Sequence, residues 1–475
     1  MSPSALNTLL NKTKGKLIFS FKGNSTNNFP ILAAFIGFLI ASLLLTSGDD
    51  KYTDLVMNKR ELMNKILDTR GEKLQNAVKQ LKDTVAKKQT ALNDTLNKSK
   101  EVIKLALSEH VKILDSLKQI QRKLASTINE RNHLNYFNAD SLLNYYAKYF
   151  SFDQYAFDSR IGVWDKDSLC RIEVLTEDIF PELSDNSFSR KDTLIIKMGK
   201  TPLIPFISKY PGIGFWLFMS IAQMTLWFLV IALVIGTGKN VDEIVPIMKY
   251  NFRHAFMLSI LPLLLVGVFS WVLYWKVIDK NIIEDYFFLG RFNFKMIIYS
   301  VPGYITAALC FGCYLFLSNK LELLNFQYKI AKTLERKALY EKQYKKLRSA
   351  FDLSFLFSSI ILSVFVFWVG LLLSAVNDIE PFKFWSLSTG KPYISYDFVY
   401  LVGLIHTVLL LIFYIPARIR FNSLEIKKEE EAAVAVATGP AKKVFTYLWE
   451  FLGKLVITTS PLLASFLQKL IDLIR

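Results

Sequence analysis

Six uninterrupted apolar runs decide what this chain can fold into: Ile31–Thr46, Gly212–Ile235, Ala255–Trp275, Met296–Leu317, Leu353–Val376 and Phe398–Ile415. Each is near the roughly 20 apolar residues that a helix needs to cross a bilayer, and none contains Asp, Glu, Lys or Arg. A soluble chain of 475 residues would instead divide into domains of alternating polar and apolar residues. The pattern predicts a mostly α, polytopic membrane protein with six transmembrane helices. It excludes a soluble enzyme and a disordered chain, and three cysteines (Cys170, Cys310, Cys313) are too few for a secreted disulfide scaffold.

Charge then sets the orientation. The 58 Lys and Arg outnumber the 41 Asp and Glu, a formal +17. In a soluble protein that excess suggests nucleic acid; in a membrane protein it marks cytoplasmic loops and anionic headgroups, so no nucleic-acid partner is expected. Residues 1–30 carry Lys12, Lys14, Lys16 and Lys22 without an acid and read as a cytoplasmic amphipathic segment. The first span, 31–47, reads as an uncleaved signal anchor. A cleaved signal peptide is the alternative, opposed by the long preceding segment and the lack of an A-x-A site. The stretch 318–350 has nine basic and three acidic residues, whereas loops 277–295 and 377–397 are near neutral. Positive-inside bias thus predicts a multi-pass protein of the plasma (inner) membrane, with both termini cytoplasmic.

The long segment after the first span falls outside the cytoplasm and divides at about residue 135. Residues 51–134 contain no Pro and one Gly, Gly71. Apolar residues recur at Leu74, Val78, Leu81, Val85 and Leu92, then at Ile103, Leu107, Leu114, Leu117, Leu124 and Ile128. The three/four spacing predicts a coiled coil over 48–135, with a lone amphipathic helix as the alternative. A single helix of this length would reach about 125 Å, yet the chain must return to the membrane by Gly212. An antiparallel hairpin turning at Asn93–Asn97, where the phase breaks, resolves this. Residues 136–211 are rich in Tyr and Phe, and Ile161–Trp164, Arg171–Leu175 and Thr193–Met198 suggest strands of a small α+β cap. Pro202, Pro205 and Pro211 form a stiff approach to the second span.

The remaining five spans form a core, 212–416, with a basic cytoplasmic helical loop at 318–352. No Gly or Pro lies between Cys313 and Val369, so its turn falls on ordinary residues, at Ser318–Lys320 or Ser349–Asp352. A charged linker, 417–443, leads to amphipathic segments at 444–475. Their aromatic and aliphatic face, with Trp449, set against Lys442, Lys443, Lys454 and Lys469, predicts helices lying on the anionic inner leaflet. A seventh span is the competing arrangement.

Little in the sequence carries catalytic chemistry. No phosphate loop, H-E-x-x-H or G-x-S-x-G is present. Gly236-Thr237-Gly238-Lys239 reads as a helix terminator. The four histidines are scattered, and Cys310 and Cys313 read as packing residues. No catalytic residue, cofactor or metal site is expected. Gln223 and His406, the strongly polar side chains of the spans, read as interhelical hydrogen-bonding groups. Small residues at Ala33, Gly37 and Ala41, and at Gly303, Ala307 and Gly312 after Pro302, predict close helix packing. The first set faces a span of this chain or of a second copy, so a homo-oligomer stays open. The expected function is a non-catalytic membrane scaffold or sensor of the cell envelope that binds an envelope or membrane protein through 51–210. Alternatives are an oligomeric channel, or an exporter permease: one span, a large outer segment and five further spans is similar in layout to some ATP-binding-cassette permeases.

Overall fold

The computed structural model describes residues 29–46, 51–95, 100–133, 147, 150–151, 157, 165–176, 190–244, 257–265, 267–268, 292–427, 429 and 453–466. In chain order the elements are α1 (Phe29–Thr46), β1 (Lys51–Met57), α2 (Lys59–Thr95), α3 (Lys100–His133), β2 (Phe150–Ser151), β3 (Leu169–Thr176), β4 (Arg190–Pro202), α4 (Leu203–Lys209), α5 (Pro211–Ile244), α6 (Phe292–Ile330), α7 (Leu334–Asn377), α8 (Glu380–Thr389) and α9 (Asp397–Ser423). Residues 257–265 and 453–466 are also helical. The chain divides into two compact units. A hairpin unit comprises residues 53–200 and 377–393, and a membrane unit takes the rest.

In the hairpin unit, α2 and α3 run antiparallel. Their register is pinned by Asp68–Arg131 (2.9 Å), Arg70–Glu130 (3.0 Å) and, further out, Lys88–Glu109. α2 ends at Thr95 and α3 starts at Lys100, and the four residues between them, part of the expected Asn93–Asn97 turn, lie outside the described set. On α2 the expected Leu74, Val78, Leu81, Val85 and Leu92 all face the seam, with Leu74 fully buried at the base. On α3 the expected Ile103, Leu114, Leu117 and Leu124 face the seam, but Leu107 and Ile128 are exposed, and Ala106, His110, Ile113, Ile120 and Thr127 complete the inward face. Apolar residues cover so much of this helix that three/four spacing alone could not choose the face.

Beneath the hairpin lies a four-stranded sheet ordered β1-β4-β3-β2. β3 and β4 pair antiparallel from Leu169 opposite Lys197 to Thr176 opposite Arg190. Period-two alternation buries Cys170, Ile172 and Val174 on one strand and Leu194 and Ile196 on the other. Two of the anticipated strands are therefore present, and Ile161–Trp164 lies outside the described residues. The cap is not local to 136–211. Residues 51–57, expected to be helical, form β1, whose end is fixed by Asn58: its N–H donates to the Ile195 carbonyl and its Oδ1 accepts the Ile195 N–H, each at 3.0 Å. The loop after α7 also joins this unit as α8, which starts with Pro381 in its first turn and stops at Gly390, left-handed at φ 70.

Among the described residues of the membrane unit, five helices are long and apolar enough to span a bilayer: α1, α5 over Pro211–Gly236, α6, α7 and α9. The chain is thus a mostly helical, multi-pass membrane protein. Of the expected third span, Ala255–Trp275, residues 257–265 and 267–268 are described and helical, and the rest lies outside the described residues. α7 and α9 run antiparallel, with Phe351 against Phe421, Phe355 against Tyr414 and Phe365 against His406. α6 and α7 are also antiparallel, from Tyr299 against Trp368 to Tyr314 against Phe351. α5 and α6 run in the same direction: Ser220 meets Tyr299, and Trp227 one to two turns on meets Gly303.

Three expectations about helix ends change. The α6–α7 turn is Ala331–Thr333, not Ser318–Lys320 or Ser349–Asp352, so both helices run past their apolar segments. Gly236 and Gly238 do not end α5, which continues to Ile244. Residues 417–423 extend α9, and the chain after it docks on α6, where Asn325 Oδ1 accepts the Ile426 N–H at 3.2 Å. Helix propagation through one or two glycines costs about 1 kcal/mol each, which an already formed helix tolerates.

Candidate functional site

Close helix approach comes first, because it positions everything else. A Cβ on Gly37 would lie 2.8 Å from the Met224 carbonyl oxygen and 3.0 Å from Phe228. With Ala41 and Leu45 buried and Ala33 half-buried, the small face of α1 is spent on α5 of the same chain. Its remaining residues, including Ile31, Leu32, Phe35 and Leu43, are exposed, as expected of a lipid-facing surface. On α6, a Cβ on Gly303 would lie 2.6 Å from the Trp227 ring, and Ala307, Ala308 and Gly312 are buried. Both predicted small-residue seams are therefore contacts within the chain.

Gly303 admits the Trp227 indole, and around it α5, α6 and α7 build a buried aromatic and hydroxyl cluster. Trp368 Nε1 donates to Ser220 Oγ at 2.6 Å, and Ser220 Oγ donates to the Trp216 carbonyl at 2.7 Å. The Tyr299 hydroxyl donates to the Ser220 carbonyl at 2.8 Å and lies 3.2 Å from Gln223 Oε1. Ring centroids stand 5.0 Å apart for Tyr299–Trp368 and 5.1 Å for Trp227–Tyr299. Gln223 Oε1 thus competes with the Ser220 carbonyl for the one Tyr299 proton across the α5–α6 interface. His406 instead bonds within α9, Nδ1 to the Val402 carbonyl at 2.7 Å, with its ring against Phe365.

At the far end of α9, Arg418, Lys427 and Arg348 lie 4.8, 4.9 and 6.0 Å from the Phe421 ring centroid. Asp352 lies 4.0 Å from both arginines. At the loop end of α4, the Tyr52 ring stacks on Phe206 at 5.3 Å, and burial pushes the Tyr52 phenol up, so it stays a neutral donor.

Within the hairpin unit, α8 meets the base of α2. Lys59 Nζ lies 2.7 Å from Glu380 Oε1, with 20% and 8% of the side chains exposed. Phe384 packs on Phe150 at 5.2 Å, and Phe157 on Trp385 and Tyr393 at 5.0 and 5.5 Å. Sequence reading missed this juncture because Lys59 and Glu380 are 321 positions apart; only the pair Glu380-Pro381, an acid and a proline in a helical first turn, hinted at α8.

Among the described residues no group of three or more His, Cys, Asp or Glu could hold a metal ion. Of the expected lipid-surface residues, Lys454 is half-buried on the 453–466 helix, and Lys442, Lys443, Trp449 and Lys469 lie outside the described residues. The fold and these contacts define a multi-pass helical membrane protein with a second, hairpin-bearing unit. No protein-family model, curated protein or solved structure matches the chain.

Proposed function

We propose that this protein is a non-catalytic scaffold or sensor of the plasma (inner) membrane, and that its hairpin unit binds an envelope protein outside the cytoplasm. The anchoring of the hairpin carries this reading. The Lys59–Glu380 pair ties the base of α2 to α8, and α8 is covalently continuous with α7 on one side and α9 on the other. A load on the hairpin therefore reaches two spans through a short, largely buried connection. A unit meant only as a spacer would need no such tie.

The finer topology follows from two arguments. Because α5 and α6 run in the same direction, the chain must return across the membrane between Ile244 and Phe292, which favours six crossings up to the end of α9. The Lys-rich 1–30 segment and the basic α6–α7 turn favour a cytoplasmic N-terminus and an external hairpin. The half-buried seam of α2 and α3 is the burial expected of a two-stranded coiled coil. Val102, Leu105 and Val111, exposed toward the tip, are available to a partner.

Affinity purification of the full chain from native membranes in mild detergent tests this. Leu105→Glu with Val111→Glu changes two exposed side chains and should leave the melting temperature unaltered. A partner held by the wild type should be depleted at least tenfold with this variant. Equal recovery with both chains, or no partner with either, would remove the reading.

A further inference from the structure

We infer that the 453–466 helix is a further membrane-crossing segment, inserted between α7 and α9, and that the chain leaves it on the side where it enters the hairpin unit. A helix lying on the membrane surface would touch the ends of the spans. This one reaches well inside the apolar run of α7. Ser460 Oγ lies 2.6 Å from Ser359 Oγ and accepts from Ser363 Oγ at 2.7 Å, and both partners lie inside the apolar run of α7. Toward its end the helix meets the first turns of α9: Phe466 packs on Tyr400 at 5.3 Å, and a Cβ on Gly403 would lie 3.0 Å from the Pro461 carbonyl oxygen.

The proline explains why serines gather here. Pro461 has no N–H, so the Ile457 carbonyl loses its helical partner. In lipid, where no water can replace it, that carbonyl must be satisfied by a side chain. Ser359 Oγ donates to it across the helix interface, and Ser460 Oγ donates from within the helix at 2.8 Å. Thr458 and Ser465 are buried as well, and Ser465 Oγ lies 3.2 Å from the Gly403 Cβ position. Such a hydroxyl-rich, glycine-relieved face is suited to a helix among helices, where close approach and hydrogen bonds replace the hydrophobic drive. In water it would leave the surrounding Leu455, Val456, Leu463 and Phe466, all exposed, without a solvent that accepts them.

Direction follows from the order of contacts. Ile457 is level with Ser359, and Phe466 with Tyr400, one turn from the start of α9 at Asp397. The chain reaches Asp397 from residues 377–393, which belong to the hairpin unit. The 14 residues cover about 21 Å, most of the hydrocarbon thickness, running toward that end. Lys454, at the opposite end, can extend its stem to the other headgroup layer. The inference replaces the expected surface helix and the shared side of the two termini. It rests on helix contacts alone and stands whether or not the hairpin binds an envelope partner.

Single cysteines at Arg475, Ser99 and Lys332, in a chain with Cys170, Cys310 and Cys313 replaced by Ala, are labelled with an impermeant maleimide in intact cells and in inverted vesicles. Arg475→Cys should label together with Ser99→Cys and opposite to Lys332→Cys. Labelling together with Lys332→Cys overturns the inference. Should the cysteine-free chain fail to fold, protease protection of a C-terminal tag on the native chain reads the same side. In addition, Ser359→Cys with Ser460→Cys should form an oxidant-induced crosslink, lost when Ser460 is paired with Lys332→Cys. No crosslink in the first pair would contradict the docked helix.

Discussion

The same task, holding long helices side by side, is solved differently in the two units. In the membrane unit, glycine brings backbones together: Gly37 against Met224 and Gly303 against Trp227 leave no room for a methyl group. The Trp368 indole N–H and the Ser220 and Tyr299 hydroxyls then hydrogen-bond across α5, α6 and α7. In the hairpin unit, Gly71 has nothing within 4 Å of its Cβ position, and the helices are held by an apolar seam flanked by ion pairs. The solvent accounts for the contrast. Lipid offers no reward for burying a leucine, so contact must come from fit and hydrogen bonds. Water rewards each buried leucine by about 1.5–3 kcal/mol and screens the ion pairs, which then fix register more than they add stability.

If that contrast is right, one kind of substitution should have opposite outcomes in the two units. Gly37→Leu forces a side chain into the Met224 backbone, which cannot rotate away. Overpacking of this kind costs about 1–3 kcal/mol or more, and here it separates α1 from α5. The expected result is loss of the monodisperse peak on size exclusion in detergent. Normal elution and an unchanged melting temperature would refute the tight-contact reading.

The next largest effect belongs to the buried ion pair. Lys59→Ala leaves the Glu380 carboxylate largely buried without its cation, a situation that costs about 3–5 kcal/mol. Local melting of the α2 base, read as faster hydrogen exchange over residues 59–67, should accompany it. Pairing Lys59→Ala with Glu380→Gln should recover much of the loss. Equal damage from single and double variants would mean that the charges are not coupled.

Which of these features could be read from the sequence depended on whether their cause was local. Five of the six expected spans were legible because an apolar run without a charge has one explanation, and the α2 seam because Leu74 to Leu92 keeps its period. Gly37 and Gly303 were legible as small residues, although nothing local said which helix they meet. α3 was misread at Leu107 and Ile128 because its apolar arc is too wide for one period. β1 left no local sign and α8 only the Glu380-Pro381 pair, because each acquires its place from residues more than 130 positions away. The N–H that Pro461 lacks is a local feature of the sequence, but its remedy is not. In the structure a hydroxyl on α7 supplies its missing hydrogen bond, and the helix continues.

Within the hairpin, the seam should weaken from base to tip. Leu74 is fully buried, whereas Leu92 is only half-buried. Leu74→Ala should therefore cost about 2–5 kcal/mol, and Leu92→Ala clearly less, measured as the shift in exchange protection of the hairpin amides. Gly71→Ala probes the same helix with the opposite sign. With open space at its Cβ position, it should stabilise α2 by about 1 kcal/mol through helix propensity. Equal losses at Leu74 and Leu92, or a loss at Gly71, would show that packing in the hairpin is not graded as its burial indicates.

The smallest effect concerns the Lys88–Glu109 pair near the tip. The hydrogen bond from Lys88, and then its charge, hold the Glu109 carboxyl below its ordinary value. A carboxyl with a depressed folded pKa adds stability above its unfolded pKa, and that stability is lost as pH falls through the folded value. The tip should therefore hold steady at neutral pH, begin to loosen as pH approaches the ordinary glutamate range, and reach its floor below it. Glu109→Gln removes the titrating group, so exchange protection over residues 85–112 should be slightly lower than wild type at pH 7. The two chains should converge in acid. Because both side chains face water, added salt should erase the difference at pH 7 as well. A difference that persists at high salt or grows in acid would mean that Glu109 acts through a buried contact, and the contrast drawn between a screened hairpin and an unscreened membrane unit would fail at that point.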